Sequence, residues 1–305
     1  MERTNSHPLV SLIIAFYNQE KFAKDAIEGA LSQDYDNLEI IFSDDCSTDN
    51  TFNVIQETIR SYTGPHKIIV NRNEPNLGIS KHFNKLIYEL SSGTYIAAAG
   101  GDDVSMPTRI SESVEFLEKN PKVQSVTFKS QQVDVHLKPI GICQDLSLNE
   151  YSIYSLEDYC KFKDFIIYSG DSRTFRRELV DSFPPLKEGI EEDLEFFVRS
   201  FLCGQVAYIR KPLVKRRNHG ENVSSRAQSR KQRNMQIGQL LDDVNYAFNS
   251  QMISEQQYKA MVQKIKTIES FFYDNDDRIR HYYIHAFIKL LTHILISIKR
   301  FVCRI

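Results

Sequence analysis

Apolar residues along the first 130 positions come in short runs, separated by stretches with helical spacing. Val10-Ser11-Leu12-Ile13-Ile14-Ala15-Phe16 reads as a buried strand, and Phe22, Ala26, Ile27, Ala30 and Leu31 then fall on one helical face. Leu38-Glu39-Ile40-Ile41-Phe42 is a second strand running into Ser43-Asp44-Asp45, followed by a helix with Val54, Ile55 and Ile59. Ile68-Ile69-Val70 gives a third strand. Phe83, Leu86, Ile87 and Leu90 mark a helix before the strand Tyr95-Ile96-Ala97-Ala98-Ala99. Pro107 suits the first turn of the next helix, whose apolar face is Ile110, Val114 and Leu117.

Strand-helix alternation at this spacing predicts a parallel sheet covered on both faces. Such sheets bind ligands beyond the carboxyl ends of their strands. Tyr17-Asn18, Asp44-Asp45, Asn71-Arg72 and Asp102-Asp103 occupy those ends and are expected to converge on one crevice. The last pair follows Gly100-Gly101, which leaves the carboxylates little steric cover. Paired carboxylates there suit a hard divalent cation, and such a cation commonly carries a substrate's phosphates. The first strand-to-helix loop, Tyr17-Asn18-Gln19-Glu20, has no glycine, so a dinucleotide-binding GxGxxG loop is excluded.

From about residue 130 to 225 the pattern is mixed. Glu191-Glu192-Asp193-Leu194-Glu195-Phe196-Phe197 reads as a helix start with acids in its first turn. From 226 onward the chain reads as helical, broken most clearly at Tyr273-Asp274-Asn275-Asp276-Asp277. The expected division is therefore 1–225 for a catalytic domain and 226–305 for a helical C-terminal extension. In the last stretch Ile284, Phe287, Ile288, Leu291, Ile294, Leu295, Ile298, Phe301 and Val302 recur at helical spacing. Arg278, Arg280, Lys289, Lys299, Arg300 and Arg304 accompany them, and no acid follows Asp277. That pattern fits a basic amphipathic helix lying on anionic lipid, or one packing its stripe on protein.

Composition narrows the classes. The 305 residues are 41% hydrophobic with a formal net charge of −2, which fits a globular core and gives no general pull toward nucleic acid. Cys46, Cys143, Cys160, Cys203 and Cys303 form no CxxC pair, which suits reduced thiols in the cytoplasm. Neither a signal peptide nor a spanning helix is expected, since no apolar run approaches about 18 residues.

Pro8-Leu9-Val10-Ser11-Leu12-Ile13-Ile14-Ala15-Phe16-Tyr17-Asn18, followed by Ser43-Asp44-Asp45-Cys46-Ser47-Thr48-Asp49, resembles the family 2 glycosyltransferases of GT-A fold. Asn76-Leu77-Gly78, Gly93-Thr94-Tyr95-Ile96 and Gly101-Asp102-Asp103-Val104-Ser105-Met106-Pro107-Thr108-Arg109 continue the likeness in order. Shorter matches near 193 and at 217–224 extend it to about residue 225. The resemblance implies an α/β GT-A (nucleotide-diphospho-sugar transferase-like) fold, with a mostly parallel central sheet flanked by helices and a helical C-terminal extension.

The resemblance also assigns roles, and physical chemistry agrees with each. Tyr17 offers an aromatic face to a nucleotide base, in the way rings stack on bases elsewhere. Asp45 accepts hydrogen bonds from a pyrimidine ring or ribose, while Asp44 orients the loop. The same Asp-Asp-Cys-Ser-Thr-Asp run is also good helix-entry chemistry. By the resemblance Asp103 contacts a divalent ion, Mg²⁺ or Mn²⁺, and Asp102 lies nearer the ribose. The family often places another aspartate two positions before that pair; here Gly100 stands there. Asp193 corresponds to the base that takes the acceptor's hydroxyl proton, with Glu191 and Glu192 as adjacent alternates. Arg216-Arg217-Asn218-His219 resembles a closing loop in which Tyr-Arg-x-His is common. Arg217 and His219 match it and would offset diphosphate charge, whereas Arg216 replaces the tyrosine. Asn222-Val223-Ser224 continues that match and also fits a glycosylation sequon.

The sequence thus predicts a metal-dependent inverting glycosyltransferase, passing a sugar from a nucleoside-diphosphate donor to a hydroxyl acceptor. The setting expected is surface-polysaccharide or lipid-linked glycan synthesis, with the protein cytoplasmic and peripheral on the inner face of the membrane. Two other readings remain open at this point. One is a sugar-phosphate nucleotidyltransferase, which normally needs a glycine-rich phosphate loop. The other is a non-catalytic sugar-nucleotide-binding subunit, for which Gly100 would mark lost catalysis.

Overall fold

The computed structural model describes residues 7–140, 149–161, 170, 172–220 and 229–273. The basic amphipathic stretch from 284 to 302, the sequon at 222–224, Cys143 and Cys303 lie outside the described residues. The chain divides into two compact units, Met1–Tyr258 and Lys259–Ile305. No helix among the described residues is long and apolar enough to cross a membrane.

The first part alternates as expected. Strand β1 (Val10–Phe16) leads to α1 (Ala23–Leu31), β2 (Leu38–Asp44), α2 (Thr51–Arg60) and β3 (Lys67–Arg72). Helix α3 (Ile79–Asn84) continues as a π-helical segment, Lys85–Leu90, before β4 (Tyr95–Gly100), β5 (Val104–Ser105) and α4 (Arg109–Lys119). Beyond these come β6 (Val123–Val133), β7 (Tyr151–Tyr154), α5 (Leu156–Lys161), β8 (Thr174–Arg176), α6 (Arg177–Asp181) and α7 (Glu192–Cys203). Last are β9 (Gln205–Arg217), α8 (Arg230–Asn249) and α9 (Glu255–Tyr273). Helix α8, beyond residue 225, belongs to the first compact unit.

The described strands form one sheet in the order β3-β2-β1-β4-β8-β6-β9-β5, with β7 on β9. Its long pairings, β3 with β2, β2 with β1, β1 with β4 and β6 with β9, are parallel. The antiparallel ones, at β8, β5 and β7, are short. This is the mostly parallel α/β arrangement the sequence predicts. Alternate residues of β1 supply its two faces. Val10, Leu12, Ile14 and Phe16 join the core under α1, α2 and α4, while Ile13 joins Ile41, Ile96, Phe83, Leu86 and Phe196 on the other. Truncating a buried aromatic such as Phe42 to alanine would cost about 3–5 kcal/mol.

Topology fixes the crevice. The chain runs outward from β1 to β2 and β3, then returns to place β4 on the other side of β1. Strand order therefore reverses between β1 and β4, and a crevice opens beyond their carboxyl ends. Gly101 is required there. A Cβ on it would run into the Phe16 ring and Gln19, so only glycine lets the β4–β5 turn lie against the loop after β1. Its amide donates to Ala15 O at 3.0 Å.

Candidate active site

The loops after β1 and β2 are knitted together. The Asn18 amide donates to Ser47 Oγ at 2.9 Å, and Asn18 Oδ1 accepts from the Thr48 amide at 2.9 Å. The Gln19 amide donates to Thr51 Oγ1 at 2.7 Å, the Glu20 amide to Asp49 Oδ2 at 3.1 Å, and the Asn50 amide to Glu20 Oε2 at 2.9 Å. Asn18 and Cys46 both adopt positive φ, 53° and 61°, in the left-handed region where asparagine is tolerated better than most residues. Tyr17, next to Asn18, is 51% exposed, so its ring is on the surface and open to stacking, and not a core aromatic.

The two aspartates after β2 are buried and serve different loops. Asp44 Oδ2 accepts from the Ser47 amide at 3.0 Å and lies 3.5 Å from Arg72 Nε, fixing its own turn. Asp45 reaches the segment after β3: Oδ1 accepts from Asn73 Nδ2 and the Leu77 amide, and Oδ2 from the Gly78 amide, each at 2.9 Å. Asp45 therefore ties the loops after β2 and β3 together, in keeping with the turn chemistry the sequence also offers for this pair. A carboxylate has about four acceptor sites, so three bonds leave room for one more.

Across the crevice the β4–β5 turn meets the end of β9. Asp103 Oδ1 accepts from the Arg217 amide at 2.9 Å. Asp102 Oδ2 and His219 Nε2 are hydrogen-bonded at 3.0 Å, and the His219 ring lies over Phe22, centroids 4.7 Å apart. Arg217 is 1% exposed. Its guanidinium bonds Asp102 O at 3.0 Å, Val135 O at 2.5 Å and Asp25 Oδ2 at 2.7 Å, and sits 4.8 Å from the Phe22 ring centre. This side chain pins the loop that carries His219 to α1 and to the β4–β5 turn. Phe22 and Asp25, which sequence reasoning missed, are its anchors on α1. Their spacing is ordinary for an amphipathic helix, so the sequence carried no signal for them.

Asp193 opens α7. Its backbone carbonyl accepts from Arg173 Nη1 at 2.5 Å, and a Cβ on Gly170 would collide with its carboxylate. Arg173 is 2% exposed, and its own carbonyl accepts from the Ala98 amide at 3.0 Å. A short relay, Asp193 to Arg173 to Ala98, thus joins the start of α7 to the strand whose end bears Asp102 and Asp103. Glu192 is buried, and burial with the neighbouring Asp193 charge pushes its carboxyl well above the usual range. Burial does the same to Glu195, helped by Asp243.

Among the described residues no cluster of three or more His, Cys, Asp or Glu side chains is close enough to hold a metal ion. The donor types the turn offers such an ion are the Asp102 and Asp103 carboxylates and the His219 imidazole, whose Nε2 is hydrogen-bonded to Asp102 Oδ2.

A family model described as Glycosyl transferase family 2 matches residues 11–183. The Escherichia coli UDP-Glc:alpha-D-GlcNAc-diphosphoundecaprenol beta-1,3-glucosyltransferase WfaP is 38% identical over 110 residues, 36% of this chain and 41% of that protein. The chain thus spans under half the length of that relative. Among solved structures, S. aureus TarS 1-349 in complex with UDP-GlcNAc superposes with a TM-score of 0.68 at 19% identity, covering 88% of this chain and 74% of that one. A mannosyltransferase from Pyrobaculum calidifontis, PcManGT, in complex with GDP-Man and Mn²⁺, gives 0.54 at 14% identity, covering 94% and 81%. At those identities the likeness is one of fold.

Proposed function

The chain belongs to glycosyl transferase family 2, and we propose that it is an inverting glycosyltransferase using a nucleoside-diphosphate sugar. The observation that carries the reading is the relay Asp193–Arg173–Ala98. It ties the helix start that bears Asp193 to the strand that leads into the Asp102-Asp103 turn, which supports Asp193 as the base. The base stacks on Tyr17, and the remaining acceptor site of Asp45 takes a base or ribose hydrogen bond. Asp103 would hold a divalent cation, with diphosphate oxygens and water filling most of its shell, and Asp102 would lie nearer the ribose. That cation supplies charge neutralisation for the departing diphosphate. Mn²⁺ in the PcManGT complex supports the assignment.

In the reaction the acceptor hydroxyl oxygen attacks the anomeric carbon from the side opposite the diphosphate. Its proton passes to Asp193, the bond from carbon to the phosphate oxygen breaks, and the electron pair leaves with the nucleoside diphosphate. Configuration at the anomeric carbon inverts. Arg217 acts by holding His219 and the Asp102-Asp103 turn in register. Glu192, buried beside Asp193 with its carboxyl pushed well above the ordinary range by burial and the Asp193 charge, is the adjacent alternate.

The acceptor is read as a lipid-linked glycan precursor at the cytoplasmic face of a membrane, in surface-polysaccharide synthesis. WfaP, whose name specifies a diphosphoundecaprenol acceptor, supports this, as does the basic amphipathic pattern from 284 to 302. UDP-glucose, UDP-N-acetylglucosamine and GDP-mannose should be screened for thermal stabilisation with and without Mn²⁺ or Mg²⁺. The productive donor should then be turned over and the product anomer read by NMR. A shift of several degrees that requires metal, and an inverted product, are expected. A retained anomer, or no donor stabilising the protein, would sink the reading.

A further inference from the structure

Helix α8 turns a polar face toward α7. Gln236, Gln239 and Asp243 recur at i, i+3 and i+7 and are 2–3% exposed. Opposite them Glu191, Glu195 and Arg199 recur at i, i+4 and i+8. Asp243 takes the Arg199 guanidinium through both oxygens, at 2.6 and 3.0 Å. Gln239 donates to Asp243 Oδ1 at 2.8 Å and accepts from the Lys187 amide at 3.1 Å.

Gln236 makes the contacts nearest the reacting end of α7. Its Nε2 donates to Glu191 O, and its Oε1 accepts from the Glu191 amide, both at 3.0 Å. The same Nε2 donates to Glu195 Oε1 at 3.0 Å. Glu191 stands at the cap of α7, where no side chain caps the helix. One amide from another element therefore satisfies both main-chain groups of the residue that sets where the first turn begins. A second hold on Glu195 falls one turn later. Asp193 lies between the two.

A polar seam costs desolvation that an apolar one would not, so its bonds must be made well. An apolar seam tolerates small rotations and repacking. A seam of directional bonds fixes rotation and axial register, a role buried polar groups play in paired helices. We infer that Gln236 is a positioning residue for Asp193: it fixes the start of α7 and thereby the aim of the carboxylate toward the acceptor hydroxyl. The inference rests on the reading of Asp193 as the base.

The test compares Gln236→Met, which removes all three bonds at similar volume, with Gln239→Met, which removes bonds further along the same face. The full chain is assayed with UDP-glucose, UDP-N-acetylglucosamine and GDP-mannose, and amide hydrogen exchange is followed over residues 192–196. Gln236→Met should lower kcat roughly tenfold with the donor KM within about twofold, because a misaimed base affects chemistry and not donor binding. Exchange at the start of α7 should quicken by roughly tenfold. Gln239→Met should lower Tm while leaving kcat and that exchange near wild type. Gln236→Asn, an amide one methylene short, should fall between and serves if the methionine variant does not fold. Wild-type kcat and exchange in the Gln236 variants, or equal kcat losses in the Gln236 and Gln239 variants in step with Tm, would overturn the inference. Asp193→Asn separates the premises. If it keeps wild-type turnover, the base reading falls and takes this inference with it; if it is dead while Gln236→Met is unaltered, only the inference falls.

Discussion

The crevice loops after β1 to β4 and the α7–α8 seam hold carboxylates by opposite means. On the donor side Asp44 and Asp45 are each gripped by backbone amides and short polar side chains, most of them in turns. On the proposed base side the start of α7 is held by side chains brought in from other parts of the chain: Arg173 donates to the Asp193 carbonyl, and Gln236 bonds the Glu191 main chain. The first arrangement is a property of strand ends and turns, and any chain with those turns acquires it. The second exists only once two helices have packed. Substitutions on the donor side should therefore change what binds, while substitutions on the base side should change how fast bound donor reacts.

The largest effect expected is at Asp193. Asp193→Asn keeps size and shape but cannot take a proton, so turnover should fall by about 10³, within the usual range for a lost general base. Donor-dependent thermal stabilisation should persist. A comparable loss of donor stabilisation would break the comparison, because it would put Asp193 on the donor side.

Next are the two aspartates of the β4–β5 turn. Asp103→Ala should abolish the metal-dependent part of donor stabilisation and lower turnover by about 10². Asp102→Ala should mainly raise the donor KM, by about tenfold. Equal activity in both variants without added metal would remove the cation from the reading. If Asp102→Ala loses the metal response more completely than Asp103→Ala, the ion sits on the Asp102–His219 pair and the two aspartates exchange roles.

How much of this was legible beforehand follows the same division. Strands at 10–16, 38–42 and 95–99, and the four carboxyl-end segments that meet in the crevice, could be read from period and order alone. So could Asp193 at a helix start. Strand β8 could not, because three residues, Thr174–Arg176, carry no period, although they bridge β4 and β6 and bring Arg173 to Asp193. The inward face of α8 escaped for a different reason: Gln236, Gln239 and Asp243 are polar, so a search for apolar stripes assigns them to solvent. Arg217 was found by motif, but its partners were not legible: the sequence does not show that Asp25 and two carbonyls will bond its guanidinium.

That third case gives a smaller prediction. Arg217→Lys keeps the charge but cannot span Asp102 O, Val135 O and Asp25 at once. Stability should drop by about 2–4 kcal/mol, as expected for a buried, hydrogen-bonded charge left partly unpaired. Asp25→Asn, at a partly exposed partner, should cost under about 1 kcal/mol. Chemical denaturation measures both. Equal and small losses would mean that Arg217 is free to act on the donor after all.

The smallest effect sharpens the comparison most, because the two sides should answer pH in opposite directions. Burial raises the Glu195 carboxyl above its ordinary range near about 4.3. A raised folded value adds stability that is fully present below that range and is lost as pH climbs toward the folded value. Glu195→Gln keeps an oxygen for Gln236 and cannot ionise. Its Tm should therefore gain on wild type as pH rises above about 4.3, by a few degrees at most. On the donor side burial works against Asp49, but bonds from the Thr51 hydroxyl and amide outweigh it and hold the carboxyl below its ordinary range. Its stabilisation is present above about 3.9 and is lost as pH falls through the folded value. Asp49→Asn should therefore be less stable than wild type near neutral pH, and the gap should close as pH falls through the acid range. Thermal melts of the three proteins between pH 3 and pH 9 make the measurement. If both variants differ from wild type by a constant at every pH, neither carboxyl differs between folded and unfolded chain. Asp49 would then owe nothing to its turn, and Glu195 nothing to its burial in the seam.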